Sequence, residues 1–136
     1  MHTHILIPVA LDHEDMVPKK LEVARRMLAD GGRITLLTVL ENVPGFVAEF
    51  VDLKPENHLS AHITEKLGAI SAGAADISTA VVKGKAGVEI AAYAQENGVD
   101  MIIVGSHHPT ATDYFLGSTA SRVARRAPCS VYILRS

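Results

Sequence analysis

The sequence has little of several features that define whole classes of protein. It contains one cysteine, Cys129, which cannot form an internal disulfide. No apolar stretch approaches the roughly 18 to 20 residues that a membrane-spanning helix needs. No Lys or Arg precedes an apolar run at the start of the chain, as a signal peptide would require. We therefore expect a cytoplasmic protein that makes no contact with a membrane.

Positive charge is not in excess either. Thirteen Lys and Arg residues against fifteen Asp and Glu residues give a formal net charge of −2, whereas a nucleic-acid-binding protein normally presents a basic face. The sequence also lacks the Gly-x-x-x-x-Gly-Lys of P-loop NTPases and a Gly-x-Gly-x-x-Gly after its first apolar run. We therefore expect no nucleic-acid partner, and we set aside the P-loop and dinucleotide-binding classes.

What the sequence does contain is enough apolar material for one folded domain. Its 136 residues are 48% hydrophobic and 21% charged, a balance typical of a globular chain with one sizeable core. There is no repeat, low-complexity tract or linker along the chain. We expect a single domain over residues 1–136.

Short apolar runs alternate with segments of helical periodicity along the whole chain. The runs predict five strands, at Ile5–Ala10, Ile34–Leu40, Ile77–Val82, Met101–Val104 and Ser130–Leu134. The periodic segments predict helices at Val17–Ala29, Glu56–Ala72, Gly87–Glu96 and Gly117–Arg126. We expect Gly31 and Gly32 to stop the first helix, and Val88, Ala91 and Ala92 to face inward on the third. This alternation predicts an α/β fold whose parallel sheet is covered by helices on both faces.

In such a sheet, ligands bind beyond the carboxyl ends of the strands, where the strand order reverses. Three connections are therefore candidates for ligand binding: Leu11–Met16, Glu41–Pro55 and Gly105–Leu116. After the third, Gly117-Ser118-Thr119 opens a helix, whose first N–H groups have no partner within the helix and attract anions. The pattern fits a phosphate-binding turn, or alternatively a helix that Ser118 or Thr119 merely caps.

Residues spread over almost the whole chain resemble the ATP-binding type of the universal stress protein family. Ile5–Val9 and Leu36–Val39 resemble its first two strands, Asp100–Ser106 its fourth strand, and Arg126–Arg135 its closing strand. Gly105–Thr119 resembles its signature of Gly-x-x-Gly, nine residues, then Gly-Ser or Gly-Thr. The resemblance implies a Rossmann-like, doubly wound five-stranded sheet in the order 3-2-1-4-5. It also implies bound ATP, ADP or AMP, with or without Mg²⁺.

The sequence departs from this signature in two places. His108 stands where the second glycine belongs, and eight residues, Pro109–Leu116, separate it from Gly117. This Gly-Ser-His-x-Pro loop resembles a bacterial subgroup that also binds ATP. The second departure is Ala10, since ATP-binding relatives usually carry there an aspartate that faces the ribose or a metal. Asp12 is the nearest carboxylate that would take its place.

The resemblance assigns roles to particular residues. Pro8, Val9 and Val39 would line the adenine pocket, next to Ala10 and Asp12. The ribose and phosphates would be held by Gly105, Ser106, His107, His108, Gly117, Ser118 and Thr119. A homodimer would form through the last strand, by Ser130, Val131, Tyr132, Ile133 and Leu134.

Other polar residues carry weaker hypotheses. His58 and His62 have a metal-ligand spacing on a predicted helix, but no third ligand is evident, so we predict no metal site. His107 and His108 could act as a general base, but no nucleophile and carboxylate can be placed beside them, so we predict no catalytic residue. Lys83, more than Lys85, would raise the local potential for an anion.

Three functions remain open on this sequence. The first is a dimeric stress-response module regulated by bound ATP. The second is a nucleotide-free dimeric scaffold, which Ala10 and the short loop favour and Gly117-Ser118 opposes. The third is a slow ATP hydrolase, which would need a positioned water and a metal.

Overall fold

The structure is a computed structural model that describes residues 2–10, 16–40, 65–71, 74–106 and 117–135. Its strands are β1 (His2–Pro8), β2 (Leu28–Leu40), β3 (Ile77–Lys83), β4 (Met101–Gly105) and β5 (Ser130–Leu134). Its helices are α1 (Val17–Met27), α2 (residues 65–71), α3 (Ala86–Glu96) and α4 (Ser118–Arg126). The connections predicted to carry ligand-binding residues lie mostly outside the described residues, as does the first part of the predicted helix Glu56–Ala72.

The five strands form one parallel sheet in the order β3-β2-β1-β4-β5. This confirms the α/β fold and the strand order that the sequence predicted. From β1 the chain proceeds outward through β2 to β3, and only afterwards returns to β4 on the other side of β1. The order therefore reverses between β1 and β4, and this is where a doubly wound sheet opens a crevice at its carboxyl edge.

The sheet separates two hydrophobic clusters. On one face, Ile5 and Ile7 of β1 pack with Val17 and Ala24 of α1 and with Leu67 of α2. On the other face, Leu6 packs with residues of α3 and α4, the fully or almost fully buried ones being Ile90, Ala94, Ala120 and Val123. Alternate residues of β1 thus serve opposite clusters, as the two-residue period of a strand requires.

The start of β2 differs from the prediction. Helix α1 ends at Met27 rather than Ala29, and Leu28 is already extended. Gly31 and Gly32 do not stop the helix but lie within β2, Gly31 with a φ of +78°. The strand begins early because Leu28 pairs with His2, after which a register shift brings Arg33 opposite His4.

Helix α3 also faces the core differently from the prediction. Val88, expected to point inward, is 37% exposed, and the buried residues are Gly87, Ile90, Ala91 and Ala94. The reason is the close approach of α4: a Cβ atom built on Gly87 would lie 2.6 Å from Cβ of Arg122. The helix therefore turns its smallest residue toward α4, which moves Val88 to the surface.

Candidate functional site at the carboxyl edge

The carboxyl end of β1 is held tightly against β2. Val9 is buried, its N–H donates to the Leu37 carbonyl at 2.8 Å, and its carbonyl accepts from the Thr38 hydroxyl at 3.1 Å. Pro8, the last residue of the strand, is half-buried, and Ala10 is exposed. The predicted adenine-lining residues Pro8 and Val9 thus lie at the reversal point, where two hydrogen bonds join Val9 to β2.

The carboxyl end of β4 meets the start of α4. The N–H of buried Ser106 donates to the Leu134 carbonyl at 3.0 Å, which ties it to β5. The Ser106 carbonyl in turn accepts from the Gly117 N–H at 3.1 Å. Two segments that are separated by residues 107–116 in the sequence are therefore adjacent in space.

Gly117 is the N-cap of α4, and no side chain among the described residues caps this helix. The first helical hydrogen bond runs from the Ser121 N–H to the Gly117 carbonyl at 2.9 Å, so the three N–H groups before Ser121 have no acceptor within the helix. Ser118 and Thr119 are exposed. The capping role considered for these two hydroxyls is wrong. We call Gly105, Ser106, Gly117, Ser118 and Thr119 the candidate phosphate cradle.

Two other predicted residues lie further along the same edge. Val39, near the end of β2, is half-buried and packs against the cluster beneath α3 and α4. Lys83, at the end of β3, is exposed and pairs in register with Leu40. Three strand spacings separate β3 from β4, roughly 14 Å, so Lys83 lies far from the candidate phosphate cradle.

Lys20, which the sequence did not predict as part of the site, also lies at the carboxyl end of β4. It lies on α1, it is only 8% exposed, and a Cβ atom built on Gly105 would lie 3.7 Å from its Nζ and Cε atoms. The signal was present in the sequence, because Lys20 falls three residues after Val17 and four before Ala24, on the core-facing side of a helix. A charged residue in that position is an exception to the pattern.

Several predicted residues lie outside the described part of the chain: Asp12, His107 and His108 of the predicted site, and the pair His58 and His62. Over the described stretches, no group of three or more His, Cys, Asp and Glu side chains is placed to hold a metal ion. The helices in those same stretches include none long and apolar enough to cross a membrane. Cys129 is half-buried against the α3/α4 cluster, and burial raises the pKa of its thiol, which keeps it protonated and weakly reactive.

This chain resembles known proteins both in sequence and in structure. Universal stress protein G of Escherichia coli O157:H7 and that of Salmonella typhimurium (strain LT2) are each 28% identical over 144 residues, covering 99% of this chain and 100% of theirs. Among solved structures, universal stress protein UspA from Lactobacillus plantarum superposes with a TM-score of 0.71 at 22% identity, over 98% of this chain and 97% of that one. A universal stress protein in complex with cAMP superposes with a TM-score of 0.69 at 19% identity, over 98% and 97%. The model of the universal stress protein family matches residues 1–135, and the chain belongs to that family.

Proposed function

We propose that this protein binds an adenine nucleotide, ATP foremost, in the crevice between β1 and β4, and that it acts as a dimeric regulatory module in a stress response. The base would lie against Pro8, Val9 and Val39. The phosphates would lie over the candidate phosphate cradle. Asp12, His107 and His108 complete the proposed site.

The hydrogen bond from Gly117 to the Ser106 carbonyl carries this proposal. It fixes the N-terminus of α4 beside the end of β4, at the place where a doubly wound sheet binds its ligands. Because no described side chain caps α4, we expect the positive end of its dipole to attract a phosphate group. A structural relative bound to cAMP supports an adenine nucleotide as the ligand.

Ala10 favours a second function. It is exposed at the end of β1, and its side chain has no oxygen that would contact a ribose or a metal ion. A protein with this feature would serve as a nucleotide-free dimeric scaffold of the same family. Ala10 also argues against a slow ATP hydrolase, since ATP hydrolysis needs a metal ion held in the site. The scaffold and the nucleotide-binding module differ in one measurable property, which is stabilisation by nucleotide.

That property is tested by the thermal stability of nucleotide-stripped protein with increasing ATP, with and without Mg²⁺. A ligand at a hundred times its Kd stabilises the folded state by about 2.7 kcal/mol, which raises Tm by several degrees. Gly117→Val should abolish the shift, because its branched side chain would occupy the space that a phosphate needs. The φ of −55° at Gly117 suits any residue, so the variant should fold.

Gly68→Val is the matched control for this experiment. Gly68 lies on α2, and a Cβ atom there would meet nothing within 4 Å among the described residues. This variant should keep the full response to ATP. If the wild-type protein shows no shift at millimolar ATP, the scaffold becomes the better proposal. An Mg²⁺-dependent shift would indicate that Asp12 or another group has replaced the carboxylate missing at Ala10.

The proposed dimer rests on the edge position of β5. This strand pairs with β4 and ends the sheet, so its outer backbone groups can pair with a second copy. Val131 and Ile133 pack against the α3/α4 cluster, whereas Tyr132 is 36% exposed. Antiparallel pairing of two β5 strands would continue the sheet through both subunits and cover Tyr132.

Tyr132→Lys should convert the dimer to a monomer, measured as mass by light scattering, because two lysines would approach each other across the new strand pair. Val88→Lys is the control, since Val88 is an apolar residue of almost equal exposure, 37%, on α3. We expect Val88→Lys to remain dimeric. A dimer that tolerates both substitutions would place the interface elsewhere.

A further inference from the structure

Helix α1 has a buried lysine, Lys20, at a position where an amphipathic helix usually has an apolar residue. The buried residues of this helix are Val17, Lys20 and Ala24, and Val17 and Ala24 both belong to the cluster on that face of the sheet. Lys20 is 8% exposed, although lysine is among the residues least often buried. Departures of this kind from a local pattern are expected at functional sites.

The charged end of Lys20 lies next to the candidate phosphate cradle. Its Nζ and Cε would each lie 3.7 Å from a Cβ atom built on Gly105, which places them beside the last residue of β4. The following residue is Ser106, whose carbonyl holds the Gly117 N–H. The ammonium group is therefore close to the point at which β4 and α4 meet.

The two helices approach this point from opposite faces of the sheet. Helix α1 packs on one cluster and α4 on the other. An anionic group in the crevice would therefore have the N-terminus of α4 on one side and the Lys20 ammonium on the other. A phosphate chain placed between these two positive groups would be attracted by both.

Burial of an ammonium group costs several kcal/mol unless polar or charged partners compensate. Lys20 makes contacts within the chain, and a phosphate would add to them. A methionine would fill the same space without that cost, so the charge at this position needs a reason other than packing. The long apolar stem of the lysine lets the residue join the cluster while its head reaches the edge.

We propose that Lys20 contacts the phosphate chain of the nucleotide and makes the protein prefer ATP to adenosine. This inference rests on the proposed function, since it names a residue that determines specificity at the same site. Lys20 is a contact residue for the ligand, and no proton transfer is assigned to it.

The test compares Lys20→Met with the wild-type protein in binding of ATP and of adenosine, each measured by competition with a fluorescent ATP analogue. Lys20→Met should weaken ATP binding at least about tenfold, the usual loss when a charge-assisted hydrogen bond is removed. It should change adenosine binding less than twofold. Lys19→Met is the matched control, because Lys19 is adjacent in sequence but exposed, and it should leave both affinities within twofold.

The outcomes separate this inference from the proposed function. If the wild-type protein binds ATP and Lys20→Met binds it equally well, the role of Lys20 is wrong while nucleotide binding stands. Equal weakening of ATP and adenosine would also overturn the inference, since a phosphate contact cannot act on adenosine. If the wild-type protein binds neither compound, the proposed function fails, and the role of Lys20 fails with it.

A measurement on the wild-type protein covers the case in which Lys20→Met does not fold. Acetylation of Lys20 and Lys19 by acetic anhydride is quantified by mass spectrometry without ligand, with ATP and with adenosine. We expect ATP to slow acetylation of Lys20 at least about fivefold relative to Lys19, and adenosine to do so by less than twofold. Equal protection by both compounds, or none by ATP, would contradict the proposal.

Discussion

The two ends of the sheet differ in how their polar side chains are arranged. At the amino end, buried His4 has both ring nitrogens in hydrogen bonds: Nδ1 to the Asn97 carbonyl at 3.0 Å and Nε2 to the Thr35 hydroxyl at 2.8 Å. The Thr35 hydroxyl is also 3.0 Å from that of Ser78. These contacts join β1, β2, β3 and the segment before β4 into one network.

Asp100 completes the amino end. Its carboxylate accepts from the N–H and hydroxyl of Thr3 and from the His4 N–H, and its own N–H donates to the His4 carbonyl. Partial burial alone would raise the pKa of Asp100, but these hydrogen bonds together hold that pKa below its usual value. The carboxylate thus stays charged and fastens β1 to the start of β4.

At the carboxyl end the polar groups are arranged differently. Helix α4 begins at Gly117 without a side-chain cap, Ser118 and Thr119 are exposed, and the Lys20 ammonium lies beside Gly105. Polar groups that bond to one another stabilise the fold, whereas exposed hydroxyls and helix N–H groups without an acceptor in their own helix are suited to an external partner. The amino end therefore joins the strands through side-chain hydrogen bonds, and the carboxyl end holds residues of the proposed nucleotide site.

The largest expected effect comes from removing His4. His4→Ala should lower the free energy of unfolding by about 3 kcal/mol, because it leaves a cavity beneath the sheet and removes the partner of the Asn97 carbonyl and Thr35 hydroxyl. Urea unfolding measures this loss. His2→Ala is the control. His2 is partly exposed, and its Nδ1 atom lies 3.4 Å from Oδ1 of Asp100. An exposed pair of this kind contributes less than about 1 kcal/mol to stability.

The contrast between the two ends of the sheet also predicts that His4→Ala leaves nucleotide binding unchanged. At a temperature where His4→Ala remains folded, its affinity for ATP should match that of the wild-type protein. If His4→Ala lost ATP binding while still folded, the two ends of the sheet would be coupled and the division of roles would be wrong.

The second prediction concerns pH and follows from the direction of the hydrogen bonds. A carbonyl only accepts, so Nδ1 of His4 carries the proton that it donates to Asn97. In the neutral ring Nε2 is then an acceptor, so Thr35 donates to it and Ser78 donates to Thr35. Burial lowers the pKa of His4, with the Arg33 charge acting the same way and the Asn97 carbonyl and Asp100 acting against it.

A lowered pKa in the folded state means that the unfolded chain binds a proton more readily. The contribution of His4 is therefore fully present above the unfolded value of 6.5 and is lost as pH falls below it. The slope from one proton is at most about 1.4 kcal/mol per pH unit. Urea unfolding between pH 5 and 8 should show this loss in the wild-type protein and in His2→Gln. His4→Gln should lack it, and an identical slope in His4→Gln would contradict the assignment.

The sequence predicted the fold because the fold depends on patterns that repeat. Buried runs such as Met101–Val104 and the alternation of strands with helices determine a parallel sheet whatever the details of its edges. The start of β2 was missed because Gly31 and Gly32 look like a helix stop, whereas the pairing of Leu28 with His2 is a tertiary contact. Val88 was misplaced for a similar reason, since the approach of Arg122 to Gly87 decides which face of α3 is buried.

Some residues of the candidate site can likewise be predicted from local sequence, whereas others cannot. Gly117 and Ser118 could be found from the sequence because a glycine before a helix start is a local feature. The unusual position of Lys20 on the core-facing side of α1 is visible in the sequence, but nothing in the segment after β1 shows that α1 brings this residue against the end of β4. Contacts between distant segments require the fold, even where the residue itself breaks a visible pattern.

The smallest expected effect is the most direct test of the comparison. Lys20→Met should change the free energy of unfolding by less than about 1 kcal/mol in the absence of nucleotide. Methionine keeps the apolar stem in the cluster, and the removed cost of a buried charge offsets the loss of the contacts that Lys20 makes within the chain. Urea unfolding of ligand-free Lys20→Met and His4→Ala, measured side by side, checks this contrast. A loss from Lys20→Met as large as that from His4→Ala would mean that the ammonium stabilises the fold as the amino-end network does. Near-equal stability combined with weaker ATP binding would separate the two ends of the sheet by function.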